Sequence, residues 1–322
     1  ITEIPAIPGP EDRAYIVIKL IIASIRFKYI NFSMIIWLAS YPKSGNTWLR
    51  SFLTSLIYEK DGNSNLKNLN FIRQYPLRSD FKDLVDDFKK INDVTKNWSI
   101  TQDRINLDNK LKFLKTHHIS CKINGYNFTN QKNTLGTIYI VRDPRNVVSS
   151  IKNHYSKTIK ESIDFIIDDY KWIGVDWNDK APDLSFNEEL DDKFPTLIGS
   201  WKTHYNLWKQ TKNNFLLVKY ENMLNNPNSE FRKIVDFISK FHDIKFDEKK
   251  IENAIKSNSF SRLKAQELKY GFEEAITDKH TKKTKNFFHL GPKNDWKKIL
   301  DNETKSIIED KFYDEMKELN YL

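Results

Sequence analysis

The run Tyr41-Pro42-Lys43-Ser44-Gly45-Asn46-Thr47-Trp48 leads straight into a helical pattern that begins at Asn46. A lysine and a glycine at a helix start make an anion site. The lysine supplies charge, the glycine permits a tight turn, and the amides from Ser44 to Trp48 point out of the helix N-terminus. A second site of the same kind is Arg142, which follows the apolar run Ile138-Tyr139-Ile140-Val141 and precedes the turn signal Asp143-Pro144. Its guanidinium offers a planar fork to a phosphate, and Ser150 in the following helix adds a hydroxyl. A third cluster, Lys115-Thr116-His117-His118, closes another apolar run. Neighbouring residues of a strand point to opposite faces, so the two histidines are expected to have different surroundings. The first loop is not a nucleoside-triphosphatase loop: the lysine precedes the glycine and the first glycine of Gly-x-x-x-x-Gly-Lys-Ser/Thr is missing. A P-loop kinase is therefore disfavoured.

The elements that must hold these groups are legible from hydropathy. Met34 to Ser40 reads as a buried strand, and Asn46 to Tyr58 as a helix, with Trp48, Leu49, Phe52, Leu53, Leu56 and Ile57 at helical spacing. Further strands are predicted at Lys112 to Thr116, Thr137 to Val141 and Phe215 to Lys219. Helices are predicted at Asn146 to Tyr155, Lys160 to Tyr170, Thr196 to Gln210, Asn228 to Phe241 and Glu303 to Leu319. Residues 171–195 are polar and Asp-rich, which suggests a long surface loop. Short apolar strands alternating with helices predict a three-layer α/β/α fold around a parallel sheet, a P-loop-like nucleotide-binding architecture. In such folds ligands sit at the carboxyl ends of the strands, where all three clusters fall.

With these residues in view, Ser40 to Trp48 resembles the 5′-phosphosulfate-binding loop of sulfotransferases that use 3′-phosphoadenosine-5′-phosphosulfate (PAPS), Tyr-Pro-Lys-Ser-Gly-Thr-Thr-Trp, with Asn46 in place of the first Thr. The resemblance implies that Lys43, Ser44, Gly45, Asn46, Thr47 and Trp48 bind the donor. Arg142 and Ser150 match the family's 3′-phosphate pair, eight positions apart. Lys115-Thr116-His117 resembles the Lys-Ser/Thr-His segment, which implies His117 as general base. Lys43 and Lys115 would then stabilise charge on the departing phosphate and sulfuryl oxygens. Phe215 to Met223 is similar to the strand ending in Tyr-Glu-Asp-Met, so Tyr220, like Trp48, is expected near the nucleotide base. Asn258-Ser259-Phe260 resembles the family's Thr-Ser-Phe near adenine. Phe288 to Lys297 resembles the loop Arg-Lys-Gly-x-x-Gly-Asp-Trp-Lys over the 3′-phosphate. Gly291, Asp295, Trp296 and Lys297 agree there, but His289 and Leu290 stand where the family has Arg and Lys. Amides around Gly291, or Lys282, Lys283, Lys285 or Lys293, are the candidates to make up the contact. The carry-over implies no metal, and the family's dimer segment is not evident after Trp296.

The resemblance spans roughly residues 34–300 and implies sulfuryl transfer from PAPS to a hydroxyl or amine of a small-molecule, glycan or lipid head-group acceptor. The altered His289-Leu290 pair leaves open a catalytically silent nucleotide-binding module of the same fold. Composition agrees with a focused anion pocket. The 322 residues carry 52 Lys+Arg against 43 Asp+Glu, a net charge of +9 spread along the chain rather than gathered in a nucleic-acid-binding arm. A single cysteine, Cys121, excludes an intrachain disulfide and a Cys-based zinc site, points to a reducing, cytoplasmic setting and is expected to be a buried small residue. Ala14 to Ile30 is apolar but interrupted by Lys19, Arg26 and Lys28, too short and charged to span a membrane. Met34 is expected to open the domain, with residues 1–33 an upstream or poorly packed extension, or alternatively a membrane-surface helix.

Overall fold

The computed structural model describes residues 33–88, 90–174, 176–178, 181–183, 194–211, 214–241, 245–277 and 284–322. The extension expected at 1–33 lies outside them except for Ser33, whose hydroxyl donates to the carbonyls of Gln131 (2.7 Å) and Lys132 (2.8 Å).

Four parallel strands form the central sheet: β1 (Ile35–Ser40), β2 (Lys112–Thr116), β3 (Thr134–Val141) and β4 (Asn214–Lys219). Their spatial order is β4-β3-β1-β2. The chain leaves β1 to one side for β2, then crosses back to the other side for β3, so the crevice beside β1 is a topological switch point. Among the described residues the α-helices of six residues or more are α1 (Asn46–Tyr58), α2 (Trp98–Asn106), α3 (Pro144–Tyr155), α4 (Ile159–Ile167), α5 (Trp201–Lys209), α6 (Tyr220–Asn225), α7 (Pro227–Ser239), α8 (Glu248–Ser257), α9 (Phe260–Tyr270), α10 (Asn302–Lys311) and α11 (Tyr313–Glu318).

Alternation along the strands builds two cores. Ile35, Trp37, Ala39, Tyr139 and Val141 face one side, against Val147, Val148 and Ile151 of α3 and Trp201, Tyr205 and Trp208 of α5. Ile36, Leu38, Ile138, Ile140 and Val218 face the other, against Leu49, Phe52 and Leu53 of α1 and Phe231, Ile234 and Ile238 of α7. A sheet covered on both faces has no polar side, hence the near-continuous apolar strands.

Some boundaries differ from the hydropathy reading. The segment expected as a helix from Thr196 begins with Thr196–Leu197 paired antiparallel to Trp172–Ile173. Gly199, at φ +57°, breaks the pattern, and α5 starts only after Ser200, whose Oγ accepts from the Thr203 amide at 3.2 Å. The expected C-terminal helix is two, turned at the fully buried Phe312. Of the expected loop 171–195, Asp176–Asn178 and Ala181–Asp183 form an antiparallel ribbon; residues 175, 179–180 and 184–193 lie outside the described residues. Cys121 is half-buried against the first core rather than enclosed, and burial pushes its thiol up to about 12.

Candidate active site

The carboxyl ends of all four strands open on one cavity of about 770 Å³, lined by Lys43, Gly45, Asn46, Thr47, Trp48, Lys115, His117, Arg142, Ser150, Tyr220 and Gly291. Ser44, expected to bind the donor, does not line it and its side chain is fully buried; Asn258, Asp295, Trp296 and Lys297 do not line it either. Segments spread from Lys43 to Gly291 thus converge because the switch point gathers strand ends.

The loop after β1 owes its shape to two left-handed residues, Lys43 at φ +66° and Gly45 at φ +107°. A Cβ on Gly45 would lie 2.6 Å from Cδ2 of Tyr220, so both conformation and space demand glycine. Asn46 donates to the Leu38 carbonyl (2.8 Å) and to Ser40 Oγ (3.2 Å), stitching the helix start to the strand it follows. At the start of α1 the amides of Asn46 and Thr47 have no carbonyl within the helix to bond, which leaves them for an anion, whereas those of Ser44 and Trp48, expected in the same nest, donate to the Tyr41 (3.3 Å) and Gly45 (3.0 Å) carbonyls. Trp48 both lines the cavity and packs in the core: its indole Nε1 donates to the Asn258 carbonyl at 2.6 Å and its ring packs edge-on against Phe231 and Tyr220. Asn258 is fully buried and donates to Ser55 Oγ (2.9 Å) and the Ala254 carbonyl (2.8 Å), a structural position rather than a base contact.

Lys43 is half-buried, with its Nζ 3.8 Å from the centre of the Phe287 ring. Burial, aided by the Arg142 and Lys115 charges and opposed by Glu274, pushes its ammonium down to about 7. Arg142 is buried, its guanidinium carbon 4.1 Å from the centre of the Tyr220 ring and its Nη1 donating to the Lys43 carbonyl at 3.0 Å. Among the described residues its Nε has no hydrogen-bond partner. A buried donor of this kind on the cavity wall fits a site built for an anion.

The two histidines part as strand geometry requires. His118 is buried, stacked on Phe128 at 4.3 Å, with Nδ1 donating to the Ile119 carbonyl at 2.7 Å. His117 faces the cavity. Its Nδ1 lies 2.7 Å from the Ser40 carbonyl, which can only accept, so Nδ1 carries the proton and Nε2 keeps its lone pair. Burial and the Lys115 charge hold its imidazole well below the usual histidine range, so it is neutral at pH 7. His204, bridging the Tyr139 hydroxyl (2.8 Å) and the His117 carbonyl (3.1 Å), fixes the backbone beneath it.

The C-terminal loop is docked despite its altered pair. Ser149 Oγ donates to Asn294 Oδ1 (2.6 Å), Asn294 Nδ2 to the Asn146 carbonyl (2.9 Å) and the Trp296 amide to Asn146 Oδ1 (3.0 Å). Trp296 lies under the Arg145 guanidinium at 4.0 Å. Gly291, at φ +52°, lets the loop lie on Phe260; a Cβ there would fall 2.2 Å from the ring. His289 is exposed, and a lysine that the motifs did not flag, Lys264, donates to its carbonyl at 3.0 Å. Lys285 donates to Ser156 Oγ at 2.8 Å, while Lys282 and Lys283 lie outside the described residues. Glu267, a buried carboxylate, accepts from the amides of Phe287 (2.5 Å) and Phe288 (2.9 Å) and so anchors the loop's start.

Sequence reasoning missed Glu274 and Arg50. Arg50 is almost wholly buried within α1 and its Nη1 meets Glu274 Oε1 at 2.5 Å. It sits in a helix whose neighbours read as core, and nothing in the spacing marked it as a cavity residue.

A parallel sheet with a glycine turn feeding a helix N-terminus at its switch point defines a P-loop-like, phosphate-binding α/β fold. The sequence model of the sulfotransferase domain matches residues 34–320, and the chain belongs to that family, the PAPS-dependent sulfotransferases. It is similar to flavonol 3-sulfotransferase of Flaveria bidentis, at 27% identity over 291 residues, 87% of this chain and 80% of that protein. Retinol dehydratase in complex with androsterone and the inactive cofactor PAP shares the fold, with a TM-score of 0.52 and 16% identity over 89% of this chain and 81% of that one. So does retinol dehydratase in a complex with retinol and PAP, with a TM-score of 0.52 and 15% identity over 89% and 82% of the two chains. No described helix is long and apolar enough to cross a membrane.

Proposed function

We propose that the domain, residues 34–322, transfers the sulfuryl group of PAPS to a hydroxyl of a small-molecule acceptor, with His117 as general base. The observation that carries this reading is the convergence in one cavity of a histidine with a free Nε2 lone pair, two lysines and the open amides of a helix N-terminus. The donor's 5′-phosphosulfate would lie on Lys43 to Thr47 and its 3′-phosphate on Arg142 and Ser150. Tyr220 and Trp48 would flank the adenine, and the docked loop at Gly291 would cover the 3′ end.

His117 Nε2 takes the acceptor proton as the acceptor oxygen bonds to sulfur. The bond from sulfur to the bridging oxygen breaks, and its electron pair leaves on the 5′-phosphate of adenosine 3′,5′-bisphosphate (PAP). Lys43 and Lys115 stabilise the charge that develops on the leaving and sulfuryl oxygens. Alignment and charge stabilisation supply the catalysis, as in phosphoryl transfer, and no step calls on a metal. Leu77, Tyr155, Ile173 and Phe194 give the rest of the cavity an apolar wall. Together with the flavonol, retinol and androsterone named for the relatives, this favours an acceptor with an apolar body and a hydroxyl; the single cysteine favours a cytoplasmic setting.

The test is mass spectrometry of a hydroxyl-acceptor panel incubated with PAPS. Sulfated product is expected, reduced by about 10²–10⁴-fold in His117→Ala. Normal turnover by that variant would remove His117 as the base. PAP binding without product across the panel would favour the silent module that the His289-Leu290 pair suggests.

A further inference from the structure

One carboxylate in the cavity has no part in the mechanism above. Glu274 follows α9 in the short segment between Gly271 and the ribbon Ile276–Thr277/Thr284–Lys285. Its Oε2 accepts from Thr47 Oγ1 at 2.7 Å; its Oε1 accepts from Arg50 Nη1 at 2.5 Å and lies 3.5 Å from Lys115 Nζ. Arg50 is itself held in place, donating to the carbonyls of Ile72 (3.1 Å) and Leu69 (3.3 Å), so it fixes where the carboxylate sits.

Thr47 has one hydroxyl proton, and it goes to Glu274. A phosphate oxygen at the start of α1 needs that same proton, and the same Lys115 charge. The Glu274 side chain is 26% exposed to the cavity, close enough for its charge to act on an arriving anion. It comes from an irregular segment rather than a helix or sheet core, so it can swing clear without breaking a secondary structure.

We propose that Glu274 competes with the donor's phosphosulfate group for Thr47 and Lys115, and so sets donor affinity. This deepens, and rests on, the reading of the cavity as a site for an anionic nucleotide.

Glu274→Gln tests it, because glutamine keeps the shape and an acceptor for Arg50 while removing the charge. Wild type is titrated first with PAP by calorimetry, then the variant at the same pH and salt. The variant is expected to bind about tenfold more tightly, the low end of what a like charge a few ångströms away costs in a partly hydrated site. The KM for PAPS should fall alongside. Equal or weaker binding by Glu274→Gln would overturn the proposal and assign the carboxylate a structural role. Should that variant fail to fold, Glu274→Met, which removes the same charge and keeps the bulk, carries the same expectation, and its binding PAP no more tightly than wild type would overturn it. Absence of any PAP binding by wild type would refute the donor reading, and this proposal with it.

Discussion

Lys43, on the proposed donor site, is expected to tie donor binding to pH. Its ammonium, ordinarily at 10.5, is pushed down to about 7 by burial and by the nearby Arg142 and Lys115 charges. An anionic nucleotide beside it favours the charged form and returns it toward its ordinary value. Binding therefore takes up a proton: about half a proton per nucleotide at pH 7 and about 0.9 at pH 8. The sign follows: affinity is greatest below pH 7, where Lys43 is already charged, and falls as pH rises. Between pH 7 and pH 9 the charged fraction drops from about one half to about one hundredth, so PAP affinity should weaken about 50-fold. Phosphate groups, with a second pKa of about 6, are already ionised over this range. His117 and His154, the latter lowered to about 3, are neutral throughout it. Calorimetry in buffers of different ionisation enthalpy, at pH 7, 8 and 9, measures both the affinity and the proton count. Arginine stays charged over this whole range, so Lys43→Arg should flatten the profile. A flat wild-type profile, or an unchanged slope in Lys43→Arg, would refute the reasoning.

Two other outcomes follow from the same geometry. Gly45→Ala should abolish PAP binding while the protein stays folded, because the methyl group must displace the Tyr220 ring from 2.6 Å and the residue is held at φ +107°; unaltered binding in a titration would show that the loop is not the donor cradle. His118 and His204 have folded values of about 4 and about 3, depressed mainly by burial below the 6.5 of an unfolded histidine. Their contribution is intact above pH 6.5 and lost as pH falls through that value, at about 1.4 kcal/mol per pH unit for each. Urea midpoints measured from pH 7 to pH 4.5 should fall accordingly, and His118→Leu should show a shallower fall.

The motif loops were legible because each is a short stretch of sequence between a strand and a helix. Lys43 to Trp48 and Arg142 to Ser150 carry their chemistry in neighbouring residues, and the strand period alone separates His117 from His118. Element ends were less legible where a local cap overrode hydropathy. Ser200 caps α5 four residues after the expected start at Thr196, and Thr158 with Glu161 closes a capping box on α4. Tyr220 was expected at a strand end and instead opens α6, since the chain bends there to lay its ring over Gly45.

By itself, the sequence determined the strand-loop-helix units, the glycine at the phosphate turn and the order in which the anion-binding groups occur. Those depend on residues a few positions apart, where backbone conformation and hydropathy act directly. Only the tertiary structure decided what surrounds them. It set the lowered ammonium of Lys43, the proton-bearing nitrogen of His117, the docking of an atypical C-terminal loop through Asn146 and Ser149, and the meeting of Glu274 with Thr47, Arg50 and Lys115. Burial and charge reach through space between residues up to 227 positions apart, and no local pattern in the chain encodes that distance.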